Sequence, residues 1–408
     1  MKCRHCQAEL QQSFLDLGSA PPSNAYLTST QLHTPEKWFP LQVLVCTQCW
    51  LVQTEDFADV AELFDADYAY FSSFSQTWLA HAHAYVENMV ERFQLNTNSL
   101  VIEVASNDGY LLQYFQKSRV PCFGIEPTAS TAKAARKKDI ETIEAFFGVR
   151  LAEELAKQGK QANLLIANNV LAHVPDINDF VSGFPRLLKP NGVATFEFPH
   201  LLNLVSDVQF DTIYHEHFSY LSLSAVQRIF SVNGLNIFDV EELPTHGGSL
   251  RVFAQRQSGG TYLQNSRVSA LLDREAQAGI ATVGYYASFQ AEADRVKNAF
   301  LSFLLEMKRQ GKRVVGYGAA AKGNTLLNYA GVRPDLISWV VDRNPAKQCK
   351  FLPGSRIPIV EETYLQIQKP DYVVILPWNL KDEIMTQLRY IREWGGEFVT
   401  AVPQLEIY

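Results

Sequence analysis

From Leu100 onward the sequence alternates short apolar segments with amphipathic ones, and this restricts the fold more than any other feature. The apolar segments read LVIEVA, CFGIEP, ETIEAFF, ANLLIANNVL and GVATFEFP, and each is followed by a segment of helical spacing. Such alternation predicts a doubly wound α/β domain with a parallel sheet. The segments NIFDVEEL and SLRVFAQR follow as two further strands, and we expect the second to add an antiparallel edge.

Acidic residues at the ends of these strands indicate where a ligand would bind. Glu103 lies in the first strand, Gly109 in the turn after it, and Glu126 closes the second strand. In such sheets ligands bind beyond the carboxyl ends of the strands, and a strand-end carboxylate can accept both ribose hydroxyls. The turn EVASNDG lacks G-x-G-x-x-G, so it fits a nucleoside without phosphates, such as S-adenosylmethionine, better than a dinucleotide. The plainer alternative for Glu126 is a solvated carboxylate.

A second α/β unit follows a long helical segment, AEADRVKNAFLSFLLEMKRQGK. It begins with RVVGYGAAAKGNTLL, which reads as strand, glycine-rich turn and helix, and Asp342 ends its next strand. The turn lacks the third glycine of a dinucleotide site, yet a helix N-terminus beside Lys322 suits a diphosphate. We expect domains at 1–75, 76–285 and 286–408. Their cores look self-sufficient, so a monomer is an open option.

Four cysteines form two C-x-x-C pairs near the N-terminus: Cys3 with Cys6, and Cys46 with Cys49. Two such pairs can complete a closed tetrahedral shell of four thiolates, which predicts a structural zinc ion without a catalytic position. Iron could occupy the same ligands. A redox or disulfide role for one pair is the alternative, and a reducing compartment disfavours it.

Charge and hydropathy exclude several classes of partner. The 408 residues carry a net charge of −7, which disfavours a nucleic-acid binder because phosphate binding draws on clustered Lys and Arg. No apolar run is long enough to span a bilayer, and MKCRHCQAEL lacks the apolar core of a signal peptide. We therefore expect a cytoplasmic protein without membrane or nucleic-acid partners.

The stretch TIYHEHFSYL concentrates polar groups between Thr212 and Leu221. His215 and His217 are two residues apart, whereas a helical metal pair needs i and i+4 on one face. A polar surface loop is the plainest interpretation. The alternative is proton transfer, because histidine is the side chain whose ordinary pKa lies near neutrality.

Taken together, several motifs resemble the sugar C-methyltransferases, which alkylate carbon 3 of nucleotide-linked 4-keto-deoxysugars. The motifs are the four-cysteine segment, DYAYFSSFSQTW, IEVASNDGYLL, GIEPT, NNVLAHVPD, FEFPHL, FDTIYHEHFSYLSL, THGGSLR and GYGAAAKGNTLL, and they cover nearly the full chain. The resemblance implies an N-terminal zinc module, a class I S-adenosylmethionine-dependent methyltransferase domain and a C-terminal Rossmann-like domain. It also implies a nucleotide-sugar substrate, with thymidine diphosphate favoured.

The resemblance places the base at His217, which would remove the proton on carbon 3 to give an enolate. Its implied partners are Tyr214, Glu216, His173 and a tyrosine of DYAYFSS, for which we favour Tyr68 over Tyr70. Tyr214 and His173 would donate to the enolate oxygen, and Glu216 would orient an imidazole or bind a sugar hydroxyl. We expect His215 to be the structural member of the triplet.

The remaining site residues divide between the methyl donor and the sugar. For S-adenosylmethionine we expect Glu103, Ala105, Asn107, Gly109, Glu126, Phe147 (or Phe146) and Asn168. For the substrate we expect Tyr70, His246, Arg251, Lys322, Asn344 and Lys347. Arg251 could equally form an ion pair, and the C-terminal domain could only bury surface. Competing functions are O-methylation of a sugar hydroxyl, an NAD-dependent oxidoreductase and a zinc-bearing binding module.

Overall fold

The computed structural model describes residues 1–57 and 72–408, which contain three β-sheets with strands numbered along the chain. The N-terminal sheet is antiparallel and has the order β1-β2-β3-β9; its strands are β1 (Gln12–Ala20), β2 (Phe39–Val45), β3 (Val52–Thr54) and β9 (Ser219–Tyr220). The last of these belongs, in sequence, to the stretch TIYHEHFSYL. A two-residue strand has too short a pattern to be predicted from sequence.

The central sheet has seven strands, as the alternation of apolar and amphipathic segments predicts. They are β4 (Val101–Val104), β5 (Cys122–Ile125), β6 (Thr142–Ile143), β7 (Ala162–Asn168), β8 (Leu188–Pro199), β10 (Leu235–Leu243) and β11 (Ser249–Arg256). Their order is β10-β11-β8-β7-β4-β5-β6, and β11 runs antiparallel between β8 and β10. The expected antiparallel edge is therefore an inserted strand, and β10 forms the edge.

The C-terminal sheet has six strands in the order β14-β13-β12-β15-β16-β17. Its strands are β12 (Val314–Tyr317), β13 (Val340–Val341), β14 (Ile359–Val360), β15 (Tyr372–Ile375), β16 (Glu397–Thr400) and β17 (Glu406–Ile407). All neighbours are parallel except β16 and β17, so this Rossmann-like sheet is mixed.

Thirteen helices occur in the described residues. They are α1 (Gln76–Arg92), α2 (Leu112–Lys117), α3 (Ala129–Arg136), α4 (Val149–Lys157), α5 (Ile177–Leu187), α6 (Leu201–Ser206), α7 (Leu223–Val232), α8 (Ser266–Ala278), α9 (Val283–Tyr286), α10 (Phe289–Arg309), α11 (Ala321–Tyr329), α12 (Thr363–Gln368) and α13 (Lys381–Gln387). The segment KDEIMTQLRYIREWGG, whose spacing alone predicts one helix, forms α13 followed by a 3-10 segment, Arg389–Trp394. The α-helix ends because Leu388 leaves helical geometry (φ −97°, ψ 17°). The residues that follow include Tyr390, Ile391 and Trp394, and aromatic and β-branched residues have lower helix propensity.

The N-terminal sheet shares a hydrophobic core with the C-terminal domain. Phe14 of β1 stacks on Phe289 of α10 with ring centroids 4.5 Å apart, and Tyr286 contacts the same ring edge-on at 5.5 Å. The cluster continues through α10 to the C-terminal strands. The N-terminal sheet and the C-terminal domain therefore share one hydrophobic core.

The tight turn after β4 explains why a glycine is needed at position 109. Gly109 has φ +73°, and an added Cβ would lie 2.3 Å from Cδ1 of Ile140. Ala105 and Asn107 in the same turn also have positive φ, of 57° and 49°. Packing against Ile140 therefore accounts for a glycine at position 109.

Replacing this glycine tests the packing argument. Gly109→Ala should destabilise the protein by about 2–5 kcal/mol, from left-handed strain plus a clash with the core. Gly159→Ala is the matched control: its φ is +76° but nothing lies within 4 Å of the added Cβ, so only the strain of about 1–2 kcal/mol remains. Urea unfolding measures both variants. Equal losses would show that Ile140 does not restrict position 109.

Candidate active site

A cleft of about 730 Å³ connects the central sheet, the segment after α6 and the first turn of α11. The predicted site residues that line it are Ala105, Asn107, Glu126, Phe147, Asn168, His173, Tyr214, His217, His246, Lys322 and Lys347. Residues from three distant parts of the sequence therefore share one cavity. It lies beyond the carboxyl ends of β4, β5 and β7, where an open α/β sheet binds its ligands.

The wall beneath this cleft is built around the carboxylate of Glu126. Its Oε2 accepts the backbone N–H of Asn107 and its Oε1 that of Thr128, both at 2.9 Å. The carboxylate thus ties the turn after β4 to the end of β5, and burial raises its pKa. Each oxygen keeps a lone pair for a ribose hydroxyl. Oδ1 of Asn168, at the end of β7, is buried without a hydrogen-bond partner among the described residues.

Two residues expected beside the methyl donor lie outside the cleft wall. Gly109 packs against Ile140. Glu103 is buried within the sheet, receives a hydrogen bond from Tyr110, and has a pKa raised well above its ordinary value by burial. Of the two phenylalanines, Phe146 is 61% exposed and lines the cleft, whereas Phe147 also packs edge-on against Phe180 at 5.6 Å. The more exposed ring of Phe146 suits stacking on an adenine, the role first expected of Phe147.

His217 is held in one tautomer. Its Nδ1–H donates to the carbonyl oxygen of Thr212 at 2.9 Å, which leaves Nε2 with a lone pair. The hydroxyl of Tyr214 donates to that nitrogen at 2.8 Å, and the two rings lie 4.0 Å apart. This tautomer is the one a base requires, because Nε2 faces the phenol and can accept a proton.

His173 is positioned by the main chain of the same loop. Its Nδ1–H donates to the carbonyl oxygen of Glu216 at 2.8 Å, and its ring lies edge-on to His217 at 4.6 Å. The Glu216 carboxyl does not line the cleft. It accepts from Nδ2 of Asn24 at 3.1 Å, its Oε2 is buried without a partner among the described residues, and burial raises its pKa. Glu216 therefore orients an imidazole through its backbone.

Burial keeps the histidines of the cleft neutral. It lowers the pKa of His173 to about 4 and that of His246 to about 4. The pKa of His217 falls well below its ordinary value, first through burial and then through His173. A buried neutral imidazole can take up a proton during a reaction without having been protonated beforehand.

The C-terminal domain contributes Lys322, from the first turn of α11. Its Nζ donates to Oδ1 of Asn379 at 2.8 Å and lies 4.6 Å from the centre of the Trp378 ring. Burial lowers the pKa of Lys322. The Trp378 indole N–H donates to Asp211 at 2.8 Å, and burial raises the pKa of Asp211 to about 6. These contacts connect the C-terminal domain to the segment that precedes Tyr214.

The glycine-rich turn of that domain is already hydrogen-bonded within the protein. The Ala319 N–H donates to Oδ2 of Asp342, and the carbonyl oxygen of Ala319 accepts from Nζ of Lys347, each at 2.8 Å. Tyr26 of the N-terminal module donates to the same carbonyl at 2.6 Å. Oδ1 of Asp342 accepts the Asn344 N–H at 2.8 Å, and this carboxylate does not line the cleft.

Of four further expected residues, two do not line the cleft and two lie outside the described part of the chain. Asn344 does not line the cleft. Arg251 is 6% exposed within β11 and donates to Glu197 at 2.9 Å and to Glu241 at 3.4 Å, so its guanidinium belongs to an ion-pair network and not to a phosphate site. Tyr68 and Tyr70 fall within residues 58–71, outside the described residues.

The four cysteines converge as predicted. Their Sγ atoms lie within 4.8 Å of one another, and the pairs Cys3–Cys49 and Cys6–Cys46 are 3.5 Å apart. A tetrahedral zinc ion with Zn–S bonds of about 2.3 Å requires S–S separations of about 3.8 Å, so the residues fit the ion. Gln53 donates to the Cys3 sulfur at 3.2 Å.

The zinc module holds the His217 loop from several sides. Strand β3 pairs with β9 through Val52 and Tyr220, and Thr54 donates through its hydroxyl to the carbonyl oxygen of His217 at 3.1 Å. His215 donates to the carbonyl oxygen of Pro40 at 3.1 Å, which fits the structural role expected of it. The module therefore positions the loop that carries the histidines.

Sequence reasoning missed several residues of the cleft. Asn24, Trp78, Tyr110, Asn169 and Thr212 all line it. Only Asn169 had a usable signal, because it adjoins Asn168 at the end of an apolar strand, where ligand-binding residues collect. Asn24 reaches the site through tertiary contact alone, from a Pro/Ser-rich loop of the zinc module.

This sheet order, with the ligand cleft at its switch point and a histidine loop above it, defines a class I S-adenosylmethionine-dependent methyltransferase. Family models match the chain at residues 3–64 (a zinc binding domain), 78–240 (methyltransferase domain) and 244–403 (C-methyltransferase C-terminal domain). The C-methyltransferase NovU of Streptomyces niveus is 34% identical over 403 residues, which is 99% of this chain and 96% of that protein. The chain belongs to this C-methyltransferase family, with S-adenosylmethionine as methyl donor and a zinc ion as its metal.

Solved structures resemble the chain over less than half of its length. Magnesium protoporphyrin IX methyltransferase from Synechocystis PCC 6803, with bound S-adenosylmethionine, covers 44% of this chain and 79% of its own at 16% identity and a TM-score of 0.34. The PH0226 protein from Pyrococcus horikoshii OT3 covers 49% of this chain and 100% of its own, at 14% identity and a TM-score of 0.39. Within the described residues, every helix is too short or too polar to cross a membrane.

Removal of the metal should loosen the histidine loop without closing the donor pocket. Cys6→Ser deletes the one exposed ligand, so bound zinc should fall and amides of residues 212–221 should exchange at least about tenfold faster. Hydrogen exchange with mass spectrometry, metal analysis and S-adenosylmethionine titration measure the three properties. Cys349→Ser, an exposed cysteine outside the cluster, is the control. Unchanged amide exchange in zinc-free Cys6→Ser would show that the zinc ion does not order residues 212–221.

The neutral histidines should make stability depend on pH. His173 and His246 bind protons in the folded protein only at a pKa of about 4, whereas unfolded histidine does so near 6.5. Between these values the unfolded state holds more protons, so the free energy of unfolding should fall as pH drops from 6.5 towards 4. Urea midpoints across this range measure the slope. His246→Asn, which tolerates the left-handed φ of 55°, should flatten it, and exposed His83→Asn should not. Midpoints that rise on acidification would contradict the assignment.

Proposed function

We propose that the protein transfers the methyl group of S-adenosylmethionine to carbon 3 of a nucleotide-linked 4-keto-deoxysugar, with thymidine diphosphate as the favoured nucleotide. The observation that carries the proposal is the single cleft shared by Glu126, His217 and Lys322. It offers a site for a nucleoside, a neutral base and a cation within one cavity. Methylation of carbon needs all three when the acceptor is a ketone attached to a diphosphate.

The methyl donor would bind over the carboxyl ends of β4, β5 and β7. Glu126 would accept the ribose hydroxyls, and Phe146 or Phe147 would flank the adenine. When bound, S-adenosylmethionine supplies an electrophilic methyl group. The residues of this chain supply orientation: Ala105, Asn107 and Asn168 line the same wall.

The base in this proposal is His217, acting together with Tyr214. Because the Tyr214 hydroxyl donates to Nε2 of His217, we assign the phenol oxygen as the atom that receives the carbon 3 proton. The carbon 3 proton passes to that oxygen as the phenol proton passes to Nε2, and the C–H electron pair becomes the enolate. The imidazolium is then stabilised by its Nδ1–H bond to Thr212. The enolate carbon would bond to the methyl group as the bond from that group to sulfur breaks, and S-adenosylhomocysteine would be the leaving group.

The diphosphate is assigned to the C-terminal end of the cleft. Ala320, Ala321 and Lys322 begin α11 there, and Lys347 lines the cleft beside them. Backbone N–H groups at a helix start and two cationic side chains favour an anion. We place the reaction in the cytoplasm as part of the same proposal, because a four-thiolate zinc site requires reduced cysteines.

Deuterium exchange tests the base separately from methyl transfer. The protein is incubated with dTDP-4-keto-2,6-dideoxyglucose in heavy water, with and without S-adenosylmethionine, and product mass is followed. Wild type should take up deuterium at carbon 3 and add one methyl group. His217→Asn should lose both by at least about 100-fold, because it removes the general base. His83→Asn on the exposed face of α1 should leave both unchanged.

Two outcomes would redirect the proposal. Methyl transfer to oxygen without deuterium uptake would favour a sugar O-methyltransferase. A sugar that is neither exchanged nor methylated, while S-adenosylmethionine still binds, would show that the acceptor class is wrong.

A further inference from the structure

Asn169 occupies a strained position at the switch point of the central sheet. It directly follows β7, its φ is 52°, and its backbone N–H donates to the carbonyl oxygen of Glu197 at 2.7 Å. Asparagine is among the few residues other than glycine that adopt this left-handed conformation readily. The backbone explains a small set of residues at this position, glycine among them. It does not explain a carboxamide.

The carboxamide atoms of Asn169 are shielded from solvent, although the residue as a whole is half-buried, and they make no hydrogen bond within the described protein. Both Oδ1 and Nδ2 are shielded from solvent without a partner, although the residue lines the cleft. A buried amide that is left unpaired lowers stability, and such groups in native proteins are nearly always hydrogen-bonded. The carboxamide is therefore suited to a partner that enters the cleft.

The neighbouring donors are already committed, which indicates what that partner is. Tyr214 has one proton, which lies on His217, and the Nδ1 proton of His173 lies on the Glu216 carbonyl. His173 is neutral in this site, so its Nε2 carries no proton to donate. The two residues first expected to stabilise an enolate oxygen therefore cannot donate to it in this arrangement. The reaction still requires such a donor where negative charge develops.

In sequence, Asn169 lies between Asn168, expected beside the methyl donor, and His173, and all three residues line the cleft. It adjoins Asn168 of the donor wall, and a short 3-10 segment, Leu171–His173, joins it to the histidine. A carboxamide presents two N–H donors and one acceptor oxygen, enough to bind a carbonyl and an adjacent hydroxyl or amino group together.

We propose that Asn169 binds the acceptor, with Nδ2–H donating to the carbonyl oxygen that becomes the enolate oxygen. This assignment rests on the proposed function. During enolisation the C–H electron pair moves towards that oxygen while the proton leaves towards Tyr214. Asn169 transfers no proton: it holds the oxygen in place and strengthens its hydrogen bond as the negative charge grows.

Two variants of the full-length protein test the role. Asn169→Gly keeps the left-handed backbone and removes the amide, and Asn169→Asp keeps the shape but replaces the N–H donors with an oxygen. Both should lower deuterium uptake at carbon 3 and kcat for methyl transfer by about 100-fold or more, the loss expected for one oxyanion donor. The Kd for S-adenosylmethionine should stay within about twofold, which also shows that the fold is intact. The same keto sugar serves as the probe.

Each alternative result has a distinct meaning. Weakened S-adenosylmethionine binding with normal exchange would assign Asn169 to the methyl donor and overturn the proposal. Full exchange and methylation in both variants would do the same. A wild type that neither exchanges nor methylates the sugar would overturn the proposed function and this assignment together, whereas an active wild type with active variants would overturn the assignment alone.

Discussion

The pairing of β3 with β9 is the contact on which the histidine site depends. It joins the zinc module to the loop that carries Tyr214 and His217, although more than 150 residues separate the two strands in sequence. The His217 carbonyl oxygen accepts a hydrogen bond from the Thr54 hydroxyl, which fixes the backbone at the proposed base. Without this pairing we expect the loop to be mobile, because a two-residue strand is not stable by itself. We therefore expect the zinc ion to affect the reaction by ordering this loop.

Burial is the second constraint, because it shifts the pKa values of several titratable groups in and around the cleft. It keeps His173, His217 and His246 neutral and raises the pKa of Glu216 and Asp211. A protonated histidine could not act as a base, and a solvated one would share its lone pair with water. The histidines are therefore unprotonated beforehand, and the hydrogen bond from Nδ1–H of His217 to the Thr212 carbonyl oxygen leaves Nε2 as the nitrogen that can accept a proton.

The parts of this structure that follow from local pattern were predictable, and the parts that follow from tertiary contact were not. The alternation of apolar and amphipathic segments predicts the central sheet, and the two C-x-x-C pairs predict the metal cluster. Both patterns depend on the spacing of residues that are near one another in the sequence. No local sequence pattern predicts the hydrogen bond from Asn24 to Glu216 or the ion pair of Arg251 with Glu197 inside the sheet. Sequence also could not show which groups can donate to an enolate oxygen. Tyr214 and His173 both carry an N–H or O–H donor, but these donors are already bonded to His217 and to the Glu216 carbonyl oxygen.

The two Rossmann-like units differ in what their first turns can bind. In the central domain the turn after β4 is held by Glu126, a carboxylate that still faces the cleft. In the C-terminal domain the corresponding turn is closed by Asp342 through the Ala319 N–H, and Tyr26 covers its carbonyl. Of these two carboxylates, Glu126 lines the cleft and Asp342 does not. The second unit presents to the cleft the start of α11 and its cations, so it complements the central domain instead of repeating its function.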